Sequence, residues 1–280
     1  EHRRCGIGGS DAAAIAGLNP WKSPFGVYMD KIDGSDADYD NERMRIGRDL
    51  EDYVAQRFSE ATGLKVRRRN AMLQHPEHEF MTANIDRMIV GENAFLECKT
   101  TNSYAKKDWE DEIPIYYEIQ CLHYMAVLGC THCYIAVLIG NEKFLWHRIE
   151  RDEETIQNLI EIEKRFWEEH ILKQVPPEPD GSSEYSEILK EKYKSSIADA
   201  VMLPDSMEEY LNRYDELNDL SKQIKTEKEQ IKQRFQVELG EHEAGIIGER
   251  KVSWKQITSN RFNSKKFQED YPELYERLKE

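Results

Sequence analysis

Positive charge is what this 280-residue chain has least of relative to its opposite: 39 Lys and Arg stand against 54 Asp and Glu, a formal net charge of −15. That balance excludes a generic nucleic-acid coat, whose phosphate binding depends on clustered Lys and Arg. It leaves room for an enzyme that meets nucleic acid locally, and Arg67-Arg68-Arg69 and Lys106-Lys107 are such local clusters. Long apolar runs are missing too. Nothing approaches the roughly 20 residues a bilayer crossing needs, and the opening Glu1-His2-Arg3-Arg4 lacks the pattern of a secretory signal. No membrane partner is expected, and a cytoplasmic location in a bacterial or phage-infected cell is. The five cysteines are an odd number, which reads as reduced thiols rather than a disulfide framework. Cys130 and Cys133 have a metal-like CxxC spacing that Cys5 and Cys121 could complete, but a single CxxC is weak, and partly buried free thiols are the expected state.

What is present is concentrated between Ala83 and Thr101. Two apolar stretches, Asn84 to Val90 and Ala94 to Thr100, flank Gly91-Glu92-Asn93, the pattern of two half-buried strands joined tightly. In such a hairpin Asp86 lies opposite the segment Glu97 to Lys99. Strand side chains alternate in direction, so Glu97 and Lys99 share a face and Cys98 points the other way. Two carboxylates about 4 Å apart repel by about 4 kcal/mol at a protein-like dielectric, which calls for a cation between them. Magnesium suits oxygen ligands from one or two carboxylates together with a substrate phosphate. A lysine two residues from a ligand is then placed to orient or deprotonate a water aimed at phosphorus.

Around this hairpin the pattern predicts a mixed α/β core over 1–180, then an extension over 181–280 that follows the break Pro176-Pro177-Glu178-Pro179-Asp180-Gly181. A glycine-rich turn before Ala12-Ala13-Ala14 predicts a short helix with Ser10 or Asp11 as N-cap, a start that with Arg3 and Arg4 suits a terminal phosphate. Trp21, in a proline-punctuated loop, reads equally as a base-stacking ring or a core anchor. Gly47 to Gly63 predicts an amphipathic helix with Leu50, Val54, Phe58 and Ala61 buried and Glu51 at the stripe's margin. Leu64 to Leu73 reads as a basic strand and Lys106 to Ile113 as a loop. Pro114 opens a helix to Leu128 with Tyr117, Gln120 and Tyr124 along one side and Ile115, Ile119, Leu122 and Ala126 on an apolar side. Thr131 to Ile139 and Glu142 to Ile149 form a second hairpin, followed by a helix from Asp152 to Lys173.

In the extension, Asp205 to Gly240 reads as a long charged helix. Tyr210, Tyr214, Leu217, Ile224, Ile231 and Phe235 form a seam interrupted by Ser221 and Lys228. It is suited to docking on another helix or to packing on the chain's own core.

The ordered set Ile7-Gly8-Gly9-Ser10-Asp11, Pro20-Trp21, Gly47 to Glu51, Ala83-Asn84-Ile85-Asp86, Glu97-Cys98-Lys99-Thr100 and Tyr117 to Gln120 resembles the YqaJ viral recombinase group, relatives of phage lambda exonuclease in the PD-(D/E)xK nuclease superfamily. The resemblance implies a restriction-endonuclease-like core and a Mg²⁺-dependent 5′→3′ exonuclease, with Mn²⁺ as a possible substitute. Such an enzyme acts on double-stranded DNA ends and leaves 3′ single strands for phage-type recombination. It also implies a single-strand annealing protein as partner and a homo-oligomer, possibly a ring. By position, Asp86, Glu97 and the Cys98 backbone carbonyl would bind metal, and Glu51 would serve a second metal or its waters. Lys99 would handle the attacking water, and Gln120 would position Lys99 or the substrate. Arg3, Arg4 and Ser10 would take the 5′-phosphate. Asn84 stands where the lambda enzyme has a phosphate-contacting serine, a departure at a substrate-binding position. An endonuclease on the same core, or a non-catalytic DNA-end-binding module, are the alternatives that the residues leave open.

Overall fold

The computed structural model describes residues 6–32, 41–110, 112–195, 198–255 and 262–278. The chain divides into two units, Glu1–Ser196 and Ile197–Glu280.

In the first unit three helices lead: α1 (Gly9–Ile15), α2 (Pro24–Ile32) and α3 (Glu42–Thr62). The last is capped by the Asn41 side chain at its start and stopped by Gly63, whose φ of 77° is open to glycine at no steric cost. Strands β1 (Val66–Arg68), β2 (Leu73–Gln74), β3 (Thr82–Ala83), β4 (Arg87–Ile89) and β5 (Ala94–Thr101) follow, then α4 (Lys106–Glu110), α5 (Ile115–Leu128), β6 (His132–Ile139), β7 (Lys143–Glu150), α6 (Glu153–Phe166) and α7 (Ser183–Lys192). Five strands form one sheet in the order β1-β4-β5-β6-β7, and β2 pairs with β3 separately. Only the β5–β6 pair of that sheet is parallel, with α5 as the crossover between them. The fold is therefore a mixed sheet flanked by helices, as expected.

The two faces of β5 build two cores. Phe95 joins the cluster of Cys133, Ile135, Val137 and the buried side of α5. Ala94 and Leu96 join Val54, Ala55 and Phe58 of α3 with Tyr134 and Ala136. Strand alternation thus places a helix on each side of the central strand.

Several expectations are corrected. The predicted strand Leu64 to Leu73 splits, because Val66–Arg68 pairs with β4 while Leu73 pairs with Ala83 in the small sheet. Lys106–Glu110 is a helix rather than a loop, and it seats Trp109 in the core at 1% exposure. Ala55 joins Val54 and Phe58 in the buried stripe of α3, whereas Leu50 is only half-buried and Ala61 and Ile115 are exposed. The helix after β7 stays α-helical only to Phe166 and continues as a π turn over Trp167–Ile171. The first unit also runs past the 180/181 division, since Tyr185 of α7 stacks on Phe25 of α2 with ring centroids 4.0 Å apart.

In the second unit α8 (Met207–Leu239) has no buried residue. It is followed by the hairpin of β8 (Ala244–Ile247) and β9 (Arg250–Ser253) and by α9 (Ser264–Asp270) and α10 (Pro272–Arg277). The seam Tyr210, Tyr214, Leu217, Ile224, Ile231 and Phe235 is exposed throughout. Among the described residues no helix is long and apolar enough to cross a membrane.

Candidate active site

The hairpin register pairs Arg87 with Leu96 and Met88 with Phe95, which carries Asp86 to the level of Glu97. There the Asp86 Oδ2 accepts the Cys98 amide at 2.7 Å. From the opposite side α5 lowers Gln120 onto the same strand. Its amide nitrogen donates to Glu97 Oε1 at 2.8 Å, and its oxygen accepts from Lys99 Nζ at 3.0 Å. Lys99 Nζ closes the triangle by donating to the same Glu97 Oε1 at 2.8 Å. The ammonium also lies 4.7 Å from the Tyr117 ring centroid, on the face that attracts a cation. Asp86, Glu97, Lys99 and Gln120 are thus brought together, and Cys98 points to the α3 side of the strand as alternation requires.

The approach of α1 to α5 depends on Gly9. A Cβ there would stand 2.5 Å from the Tyr124 ring and 2.9 Å from the Gln120 side chain, so only glycine lets the helix start so close to the site. The cap differs from expectation: Gly8 is the N-cap, and the Asp11 carboxylate reaches back to its amide at 3.2 Å. Asp11 is buried between Lys22 (3.1 Å) and Lys31 (2.7 Å). Burial alone would raise its pKa, but the two ammonium groups hold it down to about 2. Ser10 is left exposed on the first turn.

Electrostatics set Asp86 apart. Burial first, and then the Glu97 and Glu51 carboxylates, push it up to about 8 against an ordinary 3.8. Lys99 moves further toward the charged state: burial opposes this, but Glu97 outweighs it. In this arrangement Lys99 is a cation and a donor, not a proton acceptor. The Cys98 thiol is raised by burial and by Asp86 and Glu97, and is inert.

Three buried side-chain atoms lack a hydrogen-bond partner among the described residues, Glu97 Oε2, Glu163 Oε2 and His147 Nε2, and the first of them belongs to this cluster. A buried carboxylate oxygen without a donor costs several kcal/mol. Together with the raised Asp86 it fits the donor set of a hard divalent cation, which would satisfy both acids at once. No group of three or more His, Cys, Asp and Glu gathers as a metal site among the described residues, so the set is two carboxylates. Among the described residues the cysteines form no such site either, and Cys5 lies outside them. Cys121, Cys130 and Cys133 are buried free thiols, Cys130 and Cys133 being held protonated chiefly by burial.

The remaining sequence candidates are placed as follows. Glu51 lies near enough to raise Asp86, but its Oε1 is engaged by Arg87. Trp21 is 66% exposed, hence no core anchor, and meets Tyr116 edge to face at 4.9 Å. Tyr116 in turn contacts Tyr117 at 4.5 Å, so a run of rings leads from Lys99 outward to Trp21. Asn84 is exposed two residues before Asp86. Arg3 and Arg4 lie outside the described residues. Sequence reasoning passed over Arg87 and the Asp11–Lys22–Lys31 cluster. The signal for Arg87 was a charge inside the otherwise apolar run Met88-Ile89 of a buried strand.

Comparison with known proteins agrees with this fold. An alkaline exonuclease from Laribacter hongkongensis superposes with a TM-score of 0.52 at 19% identity, covering 68% of this chain and 96% of that one. The same exonuclease in complex with dAMP gives 0.50 at 20% identity, over 68% of this chain and 95% of that one. The model of the YqaJ-like viral recombinase domain matches residues 1–131. An uncharacterized protein YqaJ of Bacillus subtilis (strain 168) is 42% identical over 282 residues, 99% of this chain and 88% of its own length. On that extent of identity, the chain belongs to the YqaJ family.

Proposed function

We propose that the chain is a divalent-metal-dependent nuclease that degrades one strand of duplex DNA from its ends, 5′→3′, leaving 3′ single strands for recombination. The observation that carries the reading is the unpartnered Glu97 Oε2 beside the raised Asp86, with Lys99 and Gln120 locked onto the other Glu97 oxygen. The structural likeness to an alkaline exonuclease and the match to a viral recombinase domain family support it.

Asp86 and Glu97 would hold Mg²⁺, or Mn²⁺ in its place, with the Cys98 carbonyl adjoining. When bound, the ion supplies charge neutralisation at the phosphate and a lowered pKa for water. Lys99, kept charged by Glu97, donates a hydrogen bond toward the attacking water or the phosphate oxygens. Gln120 fixes both Lys99 and Glu97, so that neither side chain has to reorganise during the reaction. Trp21, with Tyr116 behind it, offers a ring for a base to stack on. Ser10 and Asn84 are exposed polar groups for phosphate contact, and Arg3 and Arg4 would join them. A single-strand annealing protein and further copies of the chain are the partners this role calls for.

The test is purified protein with Mg²⁺ on end-labelled linear duplex, bearing 5′-phosphate or 5′-hydroxyl, beside covalently closed circles. The expected result is degradation of linear DNA, faster with 5′-phosphate, with circles spared. Cleavage of circles at the linear rate would replace the reading with an endonuclease.

A further inference from the structure

Arg87 is the most deeply placed arginine of the site region, 4% exposed, at the start of β4. Its Nη1 is bonded to Glu51 Oε1 and also donates to the main-chain oxygen of Asp86 at 2.6 Å, while Nη2 donates to Asp52 Oδ1 at 2.6 Å. Asp52 is shared with Arg68, whose Nε lies 3.2 Å from Oδ1. The guanidinium therefore fills the space between α3 and the Asp86 backbone with a positive charge and takes the inner carboxylate of α3 as its own partner. Asp86 and Glu97, by contrast, have no arginine.

We propose that Arg87 is the resident second cation of this centre. By neutralising Glu51 it keeps that carboxylate out of the metal set, so the chain binds one divalent ion, on Asp86 and Glu97, rather than two. The inference rests on the two-carboxylate metal reading above and adds a stoichiometry and a positioning residue to it. The physical reason is charge economy: one guanidinium reaches both Glu51 and the Asp86 main chain, so Glu51 is a third carboxylate beside the two proposed ligands and needs a positive charge on the α3 side. A guanidinium bonded to both Glu51 and the Asp86 carbonyl supplies it permanently. A second divalent ion at that place would have to displace or sit against a buried arginine, at a cost that like charges at close range make prohibitive.

The experiment is calorimetric titration of the metal-stripped full chain with MnCl₂, with free Mn²⁺ followed in parallel by its electron paramagnetic resonance signal. Wild type is expected to bind one Mn²⁺ per chain, Arg87→Lys one, and Arg87→Met two. Glu51→Gln, at a half-exposed position, should bind one with affinity within about twofold of wild type. Two ions on the wild type would overturn the proposal while leaving the metal reading in place, as would a tenfold weaker single site in Glu51→Gln. A folded Arg87→Met that binds only one would remove the role given to Arg87. No binding by the wild type would take away the two-carboxylate reading itself, and this inference with it. Should Arg87→Met fail to fold, the wild-type stoichiometry and the Glu51→Gln affinity still decide.

Discussion

Besides Glu163, which is paired with His123, the first unit buries two carboxylate centres that are opposites. Asp11 sits between Lys22 and Lys31 and is held down to about 2, whereas Asp86 sits beside Glu97 and is pushed up to about 8. Both side chains are withdrawn from water, so burial is common to the two. What differs is the supply of compensating charge. The first centre is complete as folded and holds α1 against α2. The second has an oxygen with no donor and a proton affinity out of place at neutral pH, the condition that the proposed divalent ion would relieve.

The sharpest break of this contrast is chemical. Asp86→Asn, Glu97→Gln and Lys99→Ala should each lower nuclease activity by about 10³-fold or more, on the order of 4 kcal/mol of transition-state stabilisation. Asp86→Asn should also leave the metal-free protein at least as stable as wild type, because it removes a repelled charge. Single-turnover rates and thermal melts without metal check both halves. Asp11→Asn should do the reverse, costing about 3 kcal/mol of stability, since two lysines lose the charge between them. The pH dependence has a definite sign. A depressed folded pKa contributes stability that is present above the ordinary 3.8 and is lost as pH falls through about 2, and denaturant titrations from pH 5 to 2 read it.

Metal addition comes next in size. At a hundredfold excess over Kd, Mg²⁺ should stabilise wild type by about 2.7 kcal/mol and Glu97→Gln far less. Without metal the raised Asp86 acts against folding as pH rises from about 4 to about 8, because the folded chain keeps a proton that the unfolded chain has given up. The gap in melting temperature with and without Mg²⁺ should therefore widen over that range. The smallest effect expected is from Gly9→Ala, about 1–3 kcal/mol from overpacking against Tyr124. A loss of activity larger than the loss of stability would show that Gln120 had been moved.

Much of the second centre could be read in the sequence, because its geometry is local. The strands that follow Asp86 and carry Glu97 are joined by four residues, Val90 to Asn93, and period-two alternation puts Glu97 and Lys99 on one side. Gln120 could be reached through helical spacing from Tyr117 and Tyr124. The first centre was hidden because nothing local relates Asp11 to lysines 11 and 20 residues away. The same reason hid the membership of α7, since Tyr185 finds its ring partner at Phe25. Ser10 was a reasonable cap by type, but Asp11 three residues after Gly8 could bond that amide directly, and the serine was left outward. Trp109 was misplaced because its charged neighbours, Lys106, Lys107 and Asp108, hide a one-turn helix.

The crossover helix α5 is pinned twice. Gln120 grips Glu97 and Lys99, and one turn further on His123 is wholly buried, bonded to Glu163 at 2.8 Å and to the Thr82 carbonyl at 2.9 Å. At 3.6 residues per turn, adding or removing one residue between these two positions would swing one anchor through about 100° relative to the other. No rotation of the helix could then restore both. The chain should therefore refuse length changes in that single turn of α5 while accepting them at the Gly140-Asn141 bend between β6 and β7. There the backbone only has to reverse, and Asp86, Glu97, Lys99 and Gln120 all precede it.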